Sequence, residues 1–337
     1  MSEFIDIAIV GAGPCGIAVG AAAAESGLVS TLYDKGCITS SLVDYPYYMT
    51  FFSTARKLEI ASVPFTIAED KPTRREALVY YRRVVQHHEL DVRQYEEVTS
   101  IDGSAGNFTL KTRTRVGRCH TVQAKAVVIA TGGFHEPNFL GVPGEDLPKV
   151  HHYYKEPYAF FDQDVLVVGA GNSSVESALQ TYRAGARVTM VHFSDQIDRG
   201  VKPWVVPDIQ NRLKNEEIAV FWKHRLVEIR DESVVLRDED SGETVEIAND
   251  WVLAMTGWRP DRKFLLELGV QIDEETGIPA HDQDTMESPT RGIYIAGVLA
   301  AGYNANKIFI ENGKLHGPKI VQSIIASEAA RQAGSTK

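Results

Sequence analysis

A run of apolar residues that breaks into a glycine turn and then into small, helix-forming residues occurs twice in this chain. The first copy is Ile5 to Val10 followed by GAGPCGIAVGAAAAES, and the second is DVLVVGAGNSSVESA from Asp164 to Ala178. Short apolar runs of this kind are what a parallel strand buried on both faces shows. Strand, glycine turn and helix in that order open a doubly wound α/β unit. A further strand is expected after each helix, Ser30 to Tyr33 ending at Asp34 and Arg187 to Val191 ending at His192, both endpoints 23 residues beyond the first glycine. Each unit also has a closing strand: Ala126 to Thr131 runs into Gly132, and Trp251 to Thr256 into Gly257. The fold class expected is therefore α/β, with two Rossmann-like dinucleotide-binding domains.

Between these units, Phe108 to Arg115 with Val122 to Ala126, and Arg230 to Arg237 with Thr244 to Ile247, flank turn residues as antiparallel hairpins do. Helices are expected at Arg74 to His88, at Pro207 to Asn215 and at the end of the chain. Composition narrows the partners. With 35 Lys+Arg against 45 Asp+Glu and no long run of either sign, no footprint for nucleic acid is expected. Cys15, Cys37 and Cys119 are scattered and form no CxxC pair, which fits a reducing cytoplasm and argues against a disulfide scaffold or a zinc site. No segment reaches the roughly 20 apolar residues of a membrane span. Met1-Ser2-Glu3 is no cationic signal-peptide start, so a mature N-terminus near Met1 is expected.

The turns carry the chemistry. Gly11, Gly13 and Gly16 have the GxGxxG spacing in which the first glycine turns the chain, the second admits a pyrophosphate and the third lets helix meet strand. Pro14 and Cys15 fill the loop, and Asp34 stands where a carboxylate meets a ribose. In the second copy, Gly169, Gly171, Asn172 and Ser173 repeat the pattern and Ser174 replaces the third glycine. Its counterpart to Asp34 is His192, which with Arg199 nearby suits the 2′-phosphate of NADPH better than an acid would. Two such units imply two dinucleotides, FAD as a prosthetic group and NADPH as a hydride donor. From the repeat order, and because Gly292 to Gly297 resembles a C-terminal FAD motif that would return to the flavin, the FAD domain is expected to be discontinuous, 1–156 and 257–337, with the NADPH domain, 157–256, inserted.

With these motifs in place, the chain resembles the two-dinucleotide-binding-domain flavoproteins of the thioredoxin reductase type over essentially its whole length. Two departures stand out: Val298 replaces the aspartate of their C-terminal Ala-Gly-Asp motif, and no CxxC occurs after Gly171. The stretches GAGPCGIAVG, FFSTARKLEIASVPF, KPTRREALVYYRRV and IAGV followed by NKIFIENGKLHG resemble, more narrowly, the YpdA-type flavoproteins that reduce bacillithiol disulfide. That resemblance implies an NADPH-dependent, FAD-containing reductase of a low-molecular-weight thiol disulfide, with a bacilliredoxin-like protein as a partner and a homodimer or homotetramer as the assembly. It adds Lys35, Ser53, Thr54, Val98, Ala130, Thr131, Gly132, Gly297, Val298 and Lys307 to the FAD set, and Gly257 to the NADPH set.

Cys15 is the candidate catalytic thiol, because a helix N-terminus lowers a thiol pKa, although an adjacent pyrophosphate raises it. His316 reads as a surface histidine, with protonation of a leaving thiolate as the alternative role. Two alternatives are a flavin-dependent monooxygenase and a redox-sensing NADPH/FAD-binding protein without turnover. The monooxygenase fingerprint FxGxxxH fails: counting back from His151 finds Glu145 and Leu147, and from His152, Asp146 and Pro148.

Overall fold

The structure is a computed structural model that describes residues 4–134, 136–304 and 307–335, without the side chains of 262–264 and 334–335. Along the chain run β1 (Phe4–Val10), α1 (Pro14–Glu25), β2 (Ser30–Asp34), α2 (Arg74–His87), β3 (Asp91–Gln94), β4 (Glu96–Ser104), β5 (Asn107–Thr114) and β6 (Cys119–Ile129). There follow β7 (Val150–His151), β8 (Asp164–Val168), α3 (Asn172–Arg183), β9 (Arg187–His192), α4 (Val206–Lys214), β10 (Ala219–Trp222), β11 (His224–Ile229), β12 (Ser233–Asp238), β13 (Thr244–Ala248), β14 (Trp251–Ala254), β15 (Ile293–Ile295) and α5 (His316–Ser335). Contacts divide the chain into two units: residues 1–43, 49–136 and 259–337 form one, and 44–48 with 137–258 the other.

In the first unit a sheet runs in the order β3-β2-β1-β6-β5-β4, with β15 also on β6. One long strand, β6, does two jobs. Its first half pairs antiparallel with β5 (Lys111 beside Thr121), and its second half pairs parallel with β1 (Ile9 beside Val128) and with β15 (Tyr294 beside Val128). The sequence suggested two separate stretches here. β1 is buried nearly throughout, as a strand covered on both faces must be. The eight consecutive buried small and apolar positions from Gly16 to Ala23, with Pro14 before them, explain why α1 has no polar face. α2 begins with a reciprocal cap in which Glu76 N–H reaches Thr73 Oγ1 and Thr73 N–H reaches Glu76 Oε2.

The second unit has a parallel sheet, β10-β9-β8-β14-β7, and an antiparallel one, β11-β12-β13. It starts at Pro137 rather than at 157, because β7 joins the parallel sheet (Val252 beside Val150) and Leu140, Val142 and Leu147 pack into its core. Residues 44–48 belong to it too: Tyr47 N–H donates to Lys155 O, and Lys155 Nζ to Asp44 O and Oδ1. Among the described residues no helix is long and apolar enough to cross a membrane.

Candidate functional site

The two glycine turns are made by the same bonds. Gly11 N–H donates to Tyr33 O at 2.7 Å, and Gly169 N–H donates to Val191 O at 2.9 Å. Val10 sits beside Tyr33 and Val168 beside Val191, so Asp34 and His192 follow equivalent positions. Gly11 and Gly169 have φ of +109° and +113°, which side chains rarely tolerate.

Within the first turn the glycines differ in what they are for. A Cβ on Gly16 would lie 2.0 Å from Gly11 O, and one on Gly11 2.4 Å from Ala130 O. Packing alone demands both. A Cβ on Gly13 would meet nothing within 4 Å. Gly13 caps α1 with no side-chain hydrogen bond, so open space adjoins a helix N-terminus whose first-turn N–H groups have no intrahelical acceptor. That is the cradle a pyrophosphate requires, and the loop fits FAD. Asp34 Oδ2 accepts Ala12 N–H at 2.8 Å, while Oδ1 accepts Gly36 N–H at 2.8 Å and the Ser40 hydroxyl at 3.2 Å. Its carboxylate therefore ties the loop together, with about one of four lone-pair positions left for a ribose hydroxyl.

The structure gathers Gly11, Cys15, Ala130 and Gly297, since Gly297's missing Cβ would touch Cys15 Sγ at 2.9 Å. Thr131 and Gly132 follow β6, and Val298 packs 3.5 Å from where a Cβ on Gly133 would be. Thr54 caps the one-turn helix Ala55–Leu58 with Ser53 before it. Lys35 and Lys307 are exposed, and Val98 is buried in β4.

At Cys15, where a helix N-terminus and an adjacent pyrophosphate act in opposite directions, burial weighs on the side of the neutral thiol. The residue as a whole is half-buried, but a Cβ on either Gly297 or Gly313 would lie 2.9 Å from Sγ. Burial pushes this thiol up to about 12, so it is neutral at physiological pH. His316 is neither a surface histidine nor placed as a proton donor. Its Nδ1 accepts Gly297 N–H at 3.1 Å, and burial pushes it down to about 4. A neutral imidazole with its proton on Nε2 thus shapes the Gly297 turn, a role only the fold reveals.

In the second unit, Ser174 Oγ donates to Met255 O at 3.2 Å, which crosses to the end of β14 as the missing glycine would have allowed. Asn172 fastens the following loop, its Nδ2 donating to Gly200 O and its Oδ1 accepting Lys202 N–H, each at 3.0 Å. Ser173 is exposed at the start of α3 and Arg199 is exposed on the fastened loop. Gly257 stands beside Asn138, whose Nδ2 donates to Thr256 O at 3.0 Å. His192, however, is buried at 6% exposure. Its Nε2 lies 3.4 Å from Asp198 Oδ1, and burial foremost lowers its basicity. It does not present a cation to a phosphate. Asp198 Oδ2 also stands 3.3 Å from where a Cβ on Gly171 would be, so the main chain of this turn suits a dinucleotide while Asp198 must turn aside for one.

Paired glycine turns on paired parallel sheets have close counterparts among known proteins. The family model of pyridine nucleotide-disulphide oxidoreductases matches residues 8–297. The chain belongs to this family. Within the pyridine nucleotide-disulphide oxidoreductases it is 41% identical to bacilliredoxin reductase Bdr of Bacillus subtilis over 95% of this chain and 97% of that one. Two solved structures are similar across 96% of this chain: bacillithiol disulfide reductase Bdr (YpdA) from Bacillus cereus, with 41% identity, all of that chain covered and a TM-score of 0.94, and its Staphylococcus aureus namesake, with 39%, 99% and 0.90. A thioredoxin reductase of T. acidophilum, 23% identical with a TM-score of 0.77, shares the fold. The chain is an oxidoreductase, a flavoprotein disulfide reductase that uses FAD and a pyridine nucleotide as this family does.

Proposed function

We propose that the enzyme uses NADPH to reduce a low-molecular-weight thiol disulfide, bacillithiol disulfide or the mixed disulfide it forms with a bacilliredoxin-like protein. The observation that carries this reading is the pair of turns built alike but ended differently, with Asp34 after the first and His192 after the second. The names of the Bdr relatives support the substrate class. FAD, when bound, takes a hydride from NADPH and delivers two electrons to the disulfide, so that one proton from solvent completes two thiols.

In this reading the residues of the chain chiefly bind and orient. Gly11, Gly13, Pro14, Gly16 and Asp34 hold the FAD pyrophosphate and ribose, and Ala130 to Gly132, Gly297 and Val298 line the same end of the sheet. Gly169, Gly171, Asn172, Ser173, Ser174 and Gly257 frame the NADPH turn. Arg199, exposed where His192 is not, is the residue for the 2′-phosphate. Residues 1–136 and 259–337, less 44–48, make the FAD domain. Assembly as a homodimer or homotetramer in the cytoplasm completes the proposal.

The experiment is anaerobic reduction of the purified yellow protein with NADPH and with NADH, followed by a panel of disulfides including bacillithiol disulfide and glutathione disulfide. Faster reduction by NADPH and turnover of bacillithiol disulfide are expected. Equal rates with both nucleotides would remove the 2′-phosphate assignment, and an oxygenated product in air would move the enzyme to monooxygenase chemistry.

A further inference from the structure

Two segments that bring proposed FAD contacts into the first unit meet at a single ammonium. One is Ser53 to Glu59, which contains the one-turn helix Ala55–Leu58. The other is the turn Ile310–Gly313, which follows Lys307 and presses Gly313 against Cys15 Sγ. Lys314 comes directly after it. Its Nζ donates to Lys57 O at 2.7 Å and to Glu59 O at 2.6 Å. Among the described residues no carboxylate pairs with this ammonium; the negative end of a short helix and the carbonyl after it satisfy it instead.

Both segments are anchored elsewhere, so the bond transmits position. Asn312 Nδ2 donates to Lys307 O at 2.9 Å, and Phe309 N–H to Asn312 Oδ1 at 2.7 Å. On the other side, the buried Tyr80 hydroxyl accepts Ile60 N–H at 2.7 Å and donates to Val63 O at 2.8 Å, which fixes the turn after Glu59. That turn places Ala61 and Ser62 at φ of +48° and +58°. The two carbonyl bonds of Lys314 tie these segments together, beside the 3.8 Å approach of solvent-exposed Lys57 to Glu311.

We propose that Lys314 is a positioning residue, setting the loop of Ser53 and Thr54 in register with the turn that follows Lys307 so that both meet the flavin in one geometry. The inference rests on the reading of Ser53, Thr54 and Lys307 as FAD contacts. Lys314→Met keeps the aliphatic stem and removes the donor, and Lys314→Arg restores donors.

The test uses the full-length, FAD-loaded protein and reads the visible circular dichroism of the bound flavin beside NADPH-driven flavin reduction. Lys314→Met is expected to retain FAD, to show an altered flavin dichroism band, and to lose about tenfold in kcat with KM for NADPH within about twofold. Lys314→Arg should recover the wild-type band and most of the rate. A wild-type band and rate in Lys314→Met overturn the proposal, as do equal losses in the Met and Arg variants. Should Lys314→Met fail to fold, Lys314→Gln takes its place, with the same change at smaller amplitude expected and a wild-type band overturning the assignment. Wild-type protein that binds no FAD overturns the underlying site reading instead.

Discussion

Cys15 and Gly313 share one packing space: a Cβ on Gly313 would stand 2.9 Å from Cys15 Sγ, closer than the two can approach. Gly313→Ala should therefore cost about 1–3 kcal/mol by overpacking. Combining it with Cys15→Ala, which removes the sulfur, should recover most of that loss. Urea unfolding of the two single variants and the double variant measures the coupling, and simple additivity would contradict the packing.

The same enclosure governs reactivity. A neutral thiol wedged between two glycines should be alkylated by iodoacetamide at pH 7.5 at least about tenfold more slowly than the exposed Cys119. Peptide mass spectrometry resolves the two sites. Equal rates would mean that Cys15 is open and ionised in the resting enzyme.

Glycines in the first turn should separate cofactor binding from folding. Gly13→Val enters open space and should yield folded, colourless protein whose apo-form melts within about 2 °C of wild-type apoprotein. Gly16→Ala meets a carbonyl at 2.0 Å and should prevent folding of the first unit. Far-ultraviolet dichroism and FAD content decide both. A Gly13→Val protein that purifies yellow would place the pyrophosphate elsewhere.

Nucleotide preference should follow Arg199, not His192. Arg199→Ala should narrow the NADPH over NADH preference by roughly 10- to 100-fold, the worth of a charge-assisted hydrogen bond or two. His192→Ala should mainly lower the melting temperature, since it empties a buried position. A preference that collapses only in His192→Ala would reverse the assignment.

Acid should destabilise the fold through buried imidazoles. His316, pushed down to about 4, binds its proton less readily when folded than when unfolded. The stability it lends is complete above the unfolded value near 6.5 and is lost as pH falls from there toward 4. His151, His152 and His192 are also lowered by burial, with the same sign. The melting temperature should drop by about 5 °C or more between pH 7 and pH 5. A His316→Gln variant should show a shallower fall, and an unchanged slope would exclude His316 as a contributor.

The doubly wound plan was legible because its signals are local. Apolar runs, glycine spacing and the equal distance to Asp34 and His192 lie within short windows, and the sheet registers follow them. Hairpin β12–β13 and helix α2 were legible for the same reason, with turn residues and a Thr73–Glu76 cap written side by side. Features set by tertiary packing were not. His192 reads as a surface cation until Trp222 and Phe193 are seen around it. His316 reads as a surface histidine or a proton donor until its neutral ring is found under Gly297, and the sequence places Lys314 in a resembling stretch without showing what it holds, because its partners are main-chain carbonyls more than 250 residues away. The start of the second unit at Pro137 depended on two residues of β7, too short a strand to show alternation.

The double duty of β6 has a consequence for how the chain is made. As it leaves the ribosome, β6 can pair at once with β1 and β5, but Val127 to Ile129 cannot meet Ile293 to Ile295 until the whole of the intervening unit has been translated. The Gly297 turn that closes over Cys15 arrives later still. The inserted unit, whose residues are nearly contiguous, can fold on the nascent chain, while the outer unit is left with an open strand edge through most of synthesis. Loading of the flavin therefore belongs to the last moments of translation or after release, and truncation before residue 293 should abolish it even though both glycine turns are already present.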